Sequence, residues 1–180
     1  MRAAGRRYGA FTALGLIVLT LLGWAGWESN GRLRADGLVR AVRNASIDQV
    51  PGLAAQLQPY RRWAQPDLTA LRADQSDPDA QLHAALALLP ADRSQAEFLT
   101  DRLLSGSIGQ LPVIRDMLRE HAGEELDATR AKLWATLGDH SADTSQRFNA
   151  ALALATFDPD GTGTLTAGVR RYRFGAPMWV

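Results

Sequence analysis

The chain has no cysteine, which excludes disulfides, thiolate metal sites and a cysteine nucleophile. It has a single lysine, Lys132, so all but one of its 20 basic residues are arginine. Net charge is nearly absent as well: 20 basic and 19 acidic residues give +1, with both signs interleaved along the chain. That balance argues against an electrostatic nucleic-acid binder. Histidine is scarce, and His83, His121 and His140 fall on different predicted elements, a poor basis for a zinc or catalytic centre. No G-x-S-x-G elbow is present, and Ser46, Ser94 and Ser107 are each explained as helix caps, so none is needed as a nucleophile. Between residues 30 and 156 nothing alternates with period two over a useful length, so no sheet is expected.

What the chain does have is one long apolar run, YGAFTALGLIVLTLLGWAGW at 8–27, without a charge. As a helix it would reach roughly 30 Å, the thickness of a bilayer's hydrocarbon core. Phe11, Leu14, Leu16, Ile17, Val18, Leu19, Leu21 and Leu22 together favour insertion by about 2 to 5 kcal/mol. Tyr8, Trp24 and Trp27 stand where amphipathic rings lie at headgroups. The run therefore predicts a transmembrane anchor, with membrane lipid as its partner through 8–27. The rival is a cleaved signal peptide behind Arg2, Arg6 and Arg7; the run's length and the two tryptophans at the cleavage position count against it. Orientation is close to a tie, because Arg32, Arg34, Arg40 and Arg43 follow the run as closely as three arginines precede it.

The body reads as helices in series. Leu33, Leu38, Val39 and Val42 have broadly helical spacing, so the anchor helix is expected to run on, weakened by Gly31 and Gly37. Ser46 with Gln49, Ser94 with Glu97 and Ser107 with Gln110 have the form of capping boxes. Stripes follow at Ile47, Val50, Leu53, Ala54 and Leu57, at Trp63, Leu68 and Leu71, and at Leu82, Ala85, Leu86 and Leu89. Further on they recur at Ala96, Leu99 and Leu103, at Ile108, Leu111, Ile114, Met117 and Leu118, and at Leu126, Leu133, Trp134 and Leu137. Gly138 is placed to end that helix left-handed. A last helix, 144–156, is expected to bury Phe148, Ala151, Leu152 and Ala155.

These stripes repeat. A shift of 61 lays Leu38 on Leu99, Val42 on Leu103, Ser46 on Ser107, Pro51 on Pro112 and Leu57 on Leu118. A shift of 66 then lays Leu82-His-Ala-Ala-Leu-Ala-Leu88 on Phe148-Asn-Ala-Ala-Leu-Ala-Leu154. Helical units that each bury one stripe against the next are the signature of a HEAT- or armadillo-type α-solenoid.

Along 81–118, at QPYRRWAQPDL (58–68) and at QRFNAALALATFDPD (146–160), the chain resembles a particular bacterial region. It is similar to the extracytoplasmic segment after the transmembrane helix of certain membrane serine/threonine protein kinases, many of which carry a C-terminal formylglycine-generating (sulfatase-modifying) domain. The resemblance covers roughly residues 10–160. It implies a HEAT-like spacer outside the cytoplasmic membrane with the N-terminus inside, which would break the tie in orientation. The kinase motifs are missing: no Gly-rich nucleotide loop, Val-Ala-Ile-Lys, His-Arg-Asp or Asp-Phe-Gly, so no kinase activity carries over. After Asp160 the tail GTGTLTAGVRRYRFGAPMWV leaves the family pattern, as a fragment or frameshifted gene would.

The remaining candidates have plain readings. Asp158, Asp160 and Thr162, with Gly163 and Leu165, imitate a calcium loop, but Val169 stands where the bidentate glutamate belongs. Tyr60-Arg61-Arg62-Trp63 could stack on a ligand or an acidic partner, or be a buried tryptophan beside solvated arginines. Asp116, Arg119, Glu120, Glu124 and Glu125 read as a wet helix end. No catalytic, cofactor or metal residue is assigned. The expected fold is all-α, with an anchor segment 1–28, a helical-repeat body 29–157 and a tail 158–180. The expected function is a membrane-anchored scaffold or spacer that binds protein, in the inner membrane with its body outside. The alternative is a fragment of a kinase or sulfatase-modifying protein.

Overall fold

Residues 19–20 and 27–157 are described by a computed structural model. Helix α1 runs over 27–44. A 3-10 turn, Ile47–Gln49, leads into α2, Val50–Leu57, and a second, Gln58–Tyr60, into α3, Arg61–Ala73. There follow α4 (Pro78–Leu88), α5 (Gln95–Ser105), α6 (Leu111–His121), α7 (Glu125–Gly138) and α8 (Thr144–Phe157). No strand occurs among the described residues, as the lack of period-two alternation requires.

The expected transmembrane helix is corrected. Apart from Leu19, Thr20 and Trp27 the run 8–27 lies outside the described residues, and no helix among those described is long and apolar enough to cross a membrane. From Trp27 on, α1 carries Glu28, Arg32, Arg34, Asp36, Arg40 and Arg43, charges that hydrocarbon opposes. The architecture of a transmembrane helix followed by an α-solenoid thus becomes an all-helical body, and the single-pass inner-membrane placement falls with it.

The helices begin and end for local reasons that differ in part from the sequence expectation. Pro51, Pro78 and Pro112 sit in first turns, where an amide is not missed. Asp77 caps α4 by accepting from the Ala80 amide at 3.1 Å. None of the three capping boxes forms: Ser46 and Ser94 make no side-chain cap bond, and Ser107 sits in a turn ahead of α6. Of the three, Ser94 serves instead in an Asp-x-Ser turn, a device that recurs along the chain and in which the aspartate accepts from the serine two residues on. Asp74 with Ser76, Asp92 with Ser94 and Asp139 with Ser141 each bond the serine amide and hydroxyl, and Asp143 takes the Ser145 hydroxyl. Such bonds to the ionised form hold all four carboxyls below the ordinary aspartate range. Gly138 does not turn left-handed; Gly123, after α6, does, with φ 59°. The Arg93 guanidinium lies against it where a Cβ would stand, 2.9 Å from Cζ.

The internal repeat is visible in the packing. Units α1–α4 and α5–α8 are built alike: α3 pairs with α4 as α7 pairs with α8, α2 lies on α4 as α6 lies on α8, and the units join through α4 and α5. One polar device recurs. His83 of α4, buried, places Nδ1 3.2 Å from the Val42 carbonyl near the end of α1. Asn149, its counterpart in α8, donates to the Leu104 carbonyl at 3.0 Å and the Gly106 carbonyl at 3.2 Å at the end of α5. Helix C-termini leave carbonyls without intrahelical partners, and each unit spends a buried side chain on them.

Candidate interaction surface

In α4 nearly every side chain is buried, including Leu82, Ala85, Leu86 and Leu89 at 1% exposure or less. Their counterparts in α8 are Phe148, Ala151, Leu152 and Ala155, and here the structure reverses the expected burial: Phe148 is 55% and Leu152 40% exposed. The inward face of α8 is the other one, made of Asn149, Ala150, Ala153, Leu154 and Phe157. Helix α8 is therefore apolar on two sides and covered on one. Ile108, also expected inside, is exposed, because 107–110 form a turn ahead of α6 instead of its first coil.

The aromatic and arginine cluster at the opposite end of the chain is already occupied by its own residues. Trp63 packs flat on Gly31 of α1, so close that a Cβ there would lie 2.6 Å from the ring. Its Nε1 donates to Glu28 at 2.7 Å, and Arg62 pairs with the same carboxylate. Trp27 and Trp63 meet edge to face, 5.3 Å between centroids, and the Arg62 guanidinium lies over both, 4.8 and 4.1 Å from their centroids. The Trp63 bond, ahead of the neighbouring arginines, holds the Glu28 carboxyl below its usual range. Arg34 donates to the Tyr60 hydroxyl at 2.9 Å. The cluster is thus a clasp of α1 on α3, close to the reading of a packed tryptophan beside solvated arginines; Arg61 stands apart from it, along the cleft of α2 and α4.

Two clefts occupy corresponding places. One of about 310 Å³ lies between α1 and α3, lined by Val39, Arg40, Arg43, Asp67 and Asp74. The other, of about 250 Å³, lies between α5 and α7, lined by Glu97, Thr100, Glu125, Thr129 and Lys132. Its buried polar atoms are matched internally: Thr100 donates to the Ala96 carbonyl at 2.7 Å and meets the Thr129 hydroxyl at 3.0 Å, and Lys132 pairs with Asp101.

The histidines stay apart. His83 is committed to Val42, His121 lies beside Glu120 and His140 beside the Gly138 carbonyl. No group of side chains among the described residues could hold a metal ion. The calcium-like string from Asp158 to Val169 lies outside the described residues. Asp116, Arg119, Glu120, Glu124 and Glu125 are all exposed, and Asp116 pairs with Arg115. Two features were open to sequence reading and missed: the Asp-x-Ser turns, marked by aspartate two residues before serine, and Asn149, marked by its alignment with His83.

Comparison with family models, with curated proteins and with solved structures gives no match. Neither the kinase-associated resemblance nor the HEAT likeness gains support from it.

Proposed function

We propose that the helical body is a protein-interaction module and spacer, without catalysis of its own, and that α8 presents its binding face. One observation carries this reading. Phe148 and Leu152 stand open on α8 where the repeat-equivalent Leu82 and Leu86 of α4 are fully covered. Burying such side chains is worth roughly 1.5 to 3 kcal/mol each, so a neighbour that covers them gains what α4 already gains within the chain.

A photo-crosslinking residue at position 148 of the full chain, with position 69 on the exposed side of α3 as control, tests it in native extract. Position 148 is expected to give a discrete cross-linked protein and position 69 none. Absence of product from 148, or the same products from both, contradicts the reading.

A further inference from the structure

The repeat also says what kind of partner fits this face. Within its own unit α4 packs on α2 and α3 and is tied to α1 through His83; α8 has the equivalents of all three, α6, α7 and α5. Among the described helices, α5 is the one that packs closely on α4 and has no equivalent on α8. The surface covered on α4 and open on α8 is therefore the one that α5 covers.

Helix α5 brings a definite pattern to that contact. Ala96, Leu99 and Leu103 are buried. Phe98 lies under the Arg72 guanidinium of α3, 3.5 Å from its centroid, a contact without an equivalent in the second unit because the last turn of α7 has no basic residue. Gln95 accepts from Arg72 at 3.2 Å, and Arg102 reaches across to the Pro78 carbonyl at 3.0 Å. The residue of α8 corresponding to Pro78 is Thr144, exposed at the start of the helix.

We propose, building on the interaction-module reading, that the open face of α8 takes an amphipathic helix from another protein patterned like the α4-facing side of α5: aliphatic residues at the places of Ala96, Leu99 and Leu103, with an arginine at that of Arg102. A second copy of this chain is a poor occupant. Its own counterpart of α5 is α1, whose Ala35 and Val42 are already fully buried in its own unit and which has Ala41 in place of Arg102. The mode is a helix laid on an apolar surface and read through anchors at i, i+3 and i+4.

The probe is a fluorescent peptide of residues 92–106, stapled on its exposed side because a helix this short is marginal alone in water. It is titrated against the full chain and against the double variant Phe148→Asp, Leu152→Asp, both exposed positions. Saturable binding, weakened about tenfold or more by the double variant and likewise by Leu99→Ala in the peptide, is expected. Binding indifferent to the double variant means invasion of the α5 site and overturns the proposal. So does self-association of the full chain abolished by the double variant, which assigns the face to a second copy, and so does a cross-link from position 148 to residues 158–180 of the same molecule. If the peptide fails to bind while position 148 still captures a protein, the helical pattern is wrong and the interaction reading stands; if both fail, both fall.

Discussion

Replacing Asn149 by alanine probes the repeated polar tie. The side chain is buried and its amide donates to two carbonyls at the end of α5, Leu104 at 3.0 Å and Gly106 at 3.2 Å. The Leu104 bond is buried and the Gly106 bond only partly so, so water can reach the second carbonyl after truncation but not the first. A buried acceptor left without a donor costs about 1 to 3 kcal/mol, and loss of the second bond adds about 0.5 to 1 kcal/mol. Asn149→Ala is thus expected to destabilise the chain by roughly 1.5 to 4 kcal/mol, lowering Tm by about 3 to 16 °C at this chain size. Calorimetry and urea unfolding of the full chain read it. Asn149→His is the informative companion, because the first unit uses a histidine at the corresponding position; its ring nitrogen is expected to recover part of the loss. Asn149→Asp, an acceptor facing two acceptors, is expected to be at least as damaging as alanine. Stability of Asn149→Ala within about 0.5 kcal/mol of wild type, or no advantage of histidine over alanine, refutes the reasoning.

Gly31→Ala and Gly37→Ala, on the same helix, are expected to have opposite signs. A Cβ at 31 meets the Trp63 ring at 2.6 Å while one at 37 meets nothing, so the first destabilises by about 1 to 3 kcal/mol and shifts tryptophan emission, and the second stabilises by up to about 1 kcal/mol. Equal effects in chemical denaturation would refute the clasp. The carboxyls of Asp74, Asp92, Asp139 and Asp143 titrate lower folded than unfolded, so their contribution is complete above the ordinary aspartate pKa of about 3.9 and is lost as pH falls through the lowered folded values. Urea midpoints are expected to fall across that acid window, with Asp92→Asn flatter than wild type; a variant with unchanged pH dependence contradicts the turn assignment.

Much of the fold is legible in the residues because the driving pattern is simple. Val50, Ala54 and Leu57, Leu68 and Leu71, Leu99 and Leu103, and Ile114, Met117 and Leu118 go inside as their spacing requires. Failures occur where one pattern serves two outcomes. Phe148, Ala151, Leu152 and Ala155 make as good a stripe as Ala150, Ala153, Leu154 and Phe157, and periodicity does not say which side has a neighbour. Serine at a helix start can cap the helix or bond to an aspartate behind it; at Ser94 the nearer Asp92 wins, at 2.6 Å. The run at 8–27 reads as a span on length and apolarity alone, while α1, described from Trp27 on, is studded with charge. The open face of α8 was the least legible of all, since an exposed apolar residue is recognisable only against a covered equivalent.

A chain without cysteine allows that face to be read one thiol at a time. Leu86→Cys and Leu152→Cys occupy equivalent positions on α4 and α8, and the rate of maleimide labelling of each in the native full chain reports how open it is. Leu152→Cys is expected to label within about tenfold of its rate in urea, and Leu86→Cys at least about 10³-fold slower than unfolded, because its exposure requires the helices around α4 to open. Similar protection at both positions would mean that α8 is covered as α4 is, and would contradict the account of an unoccupied repeat face.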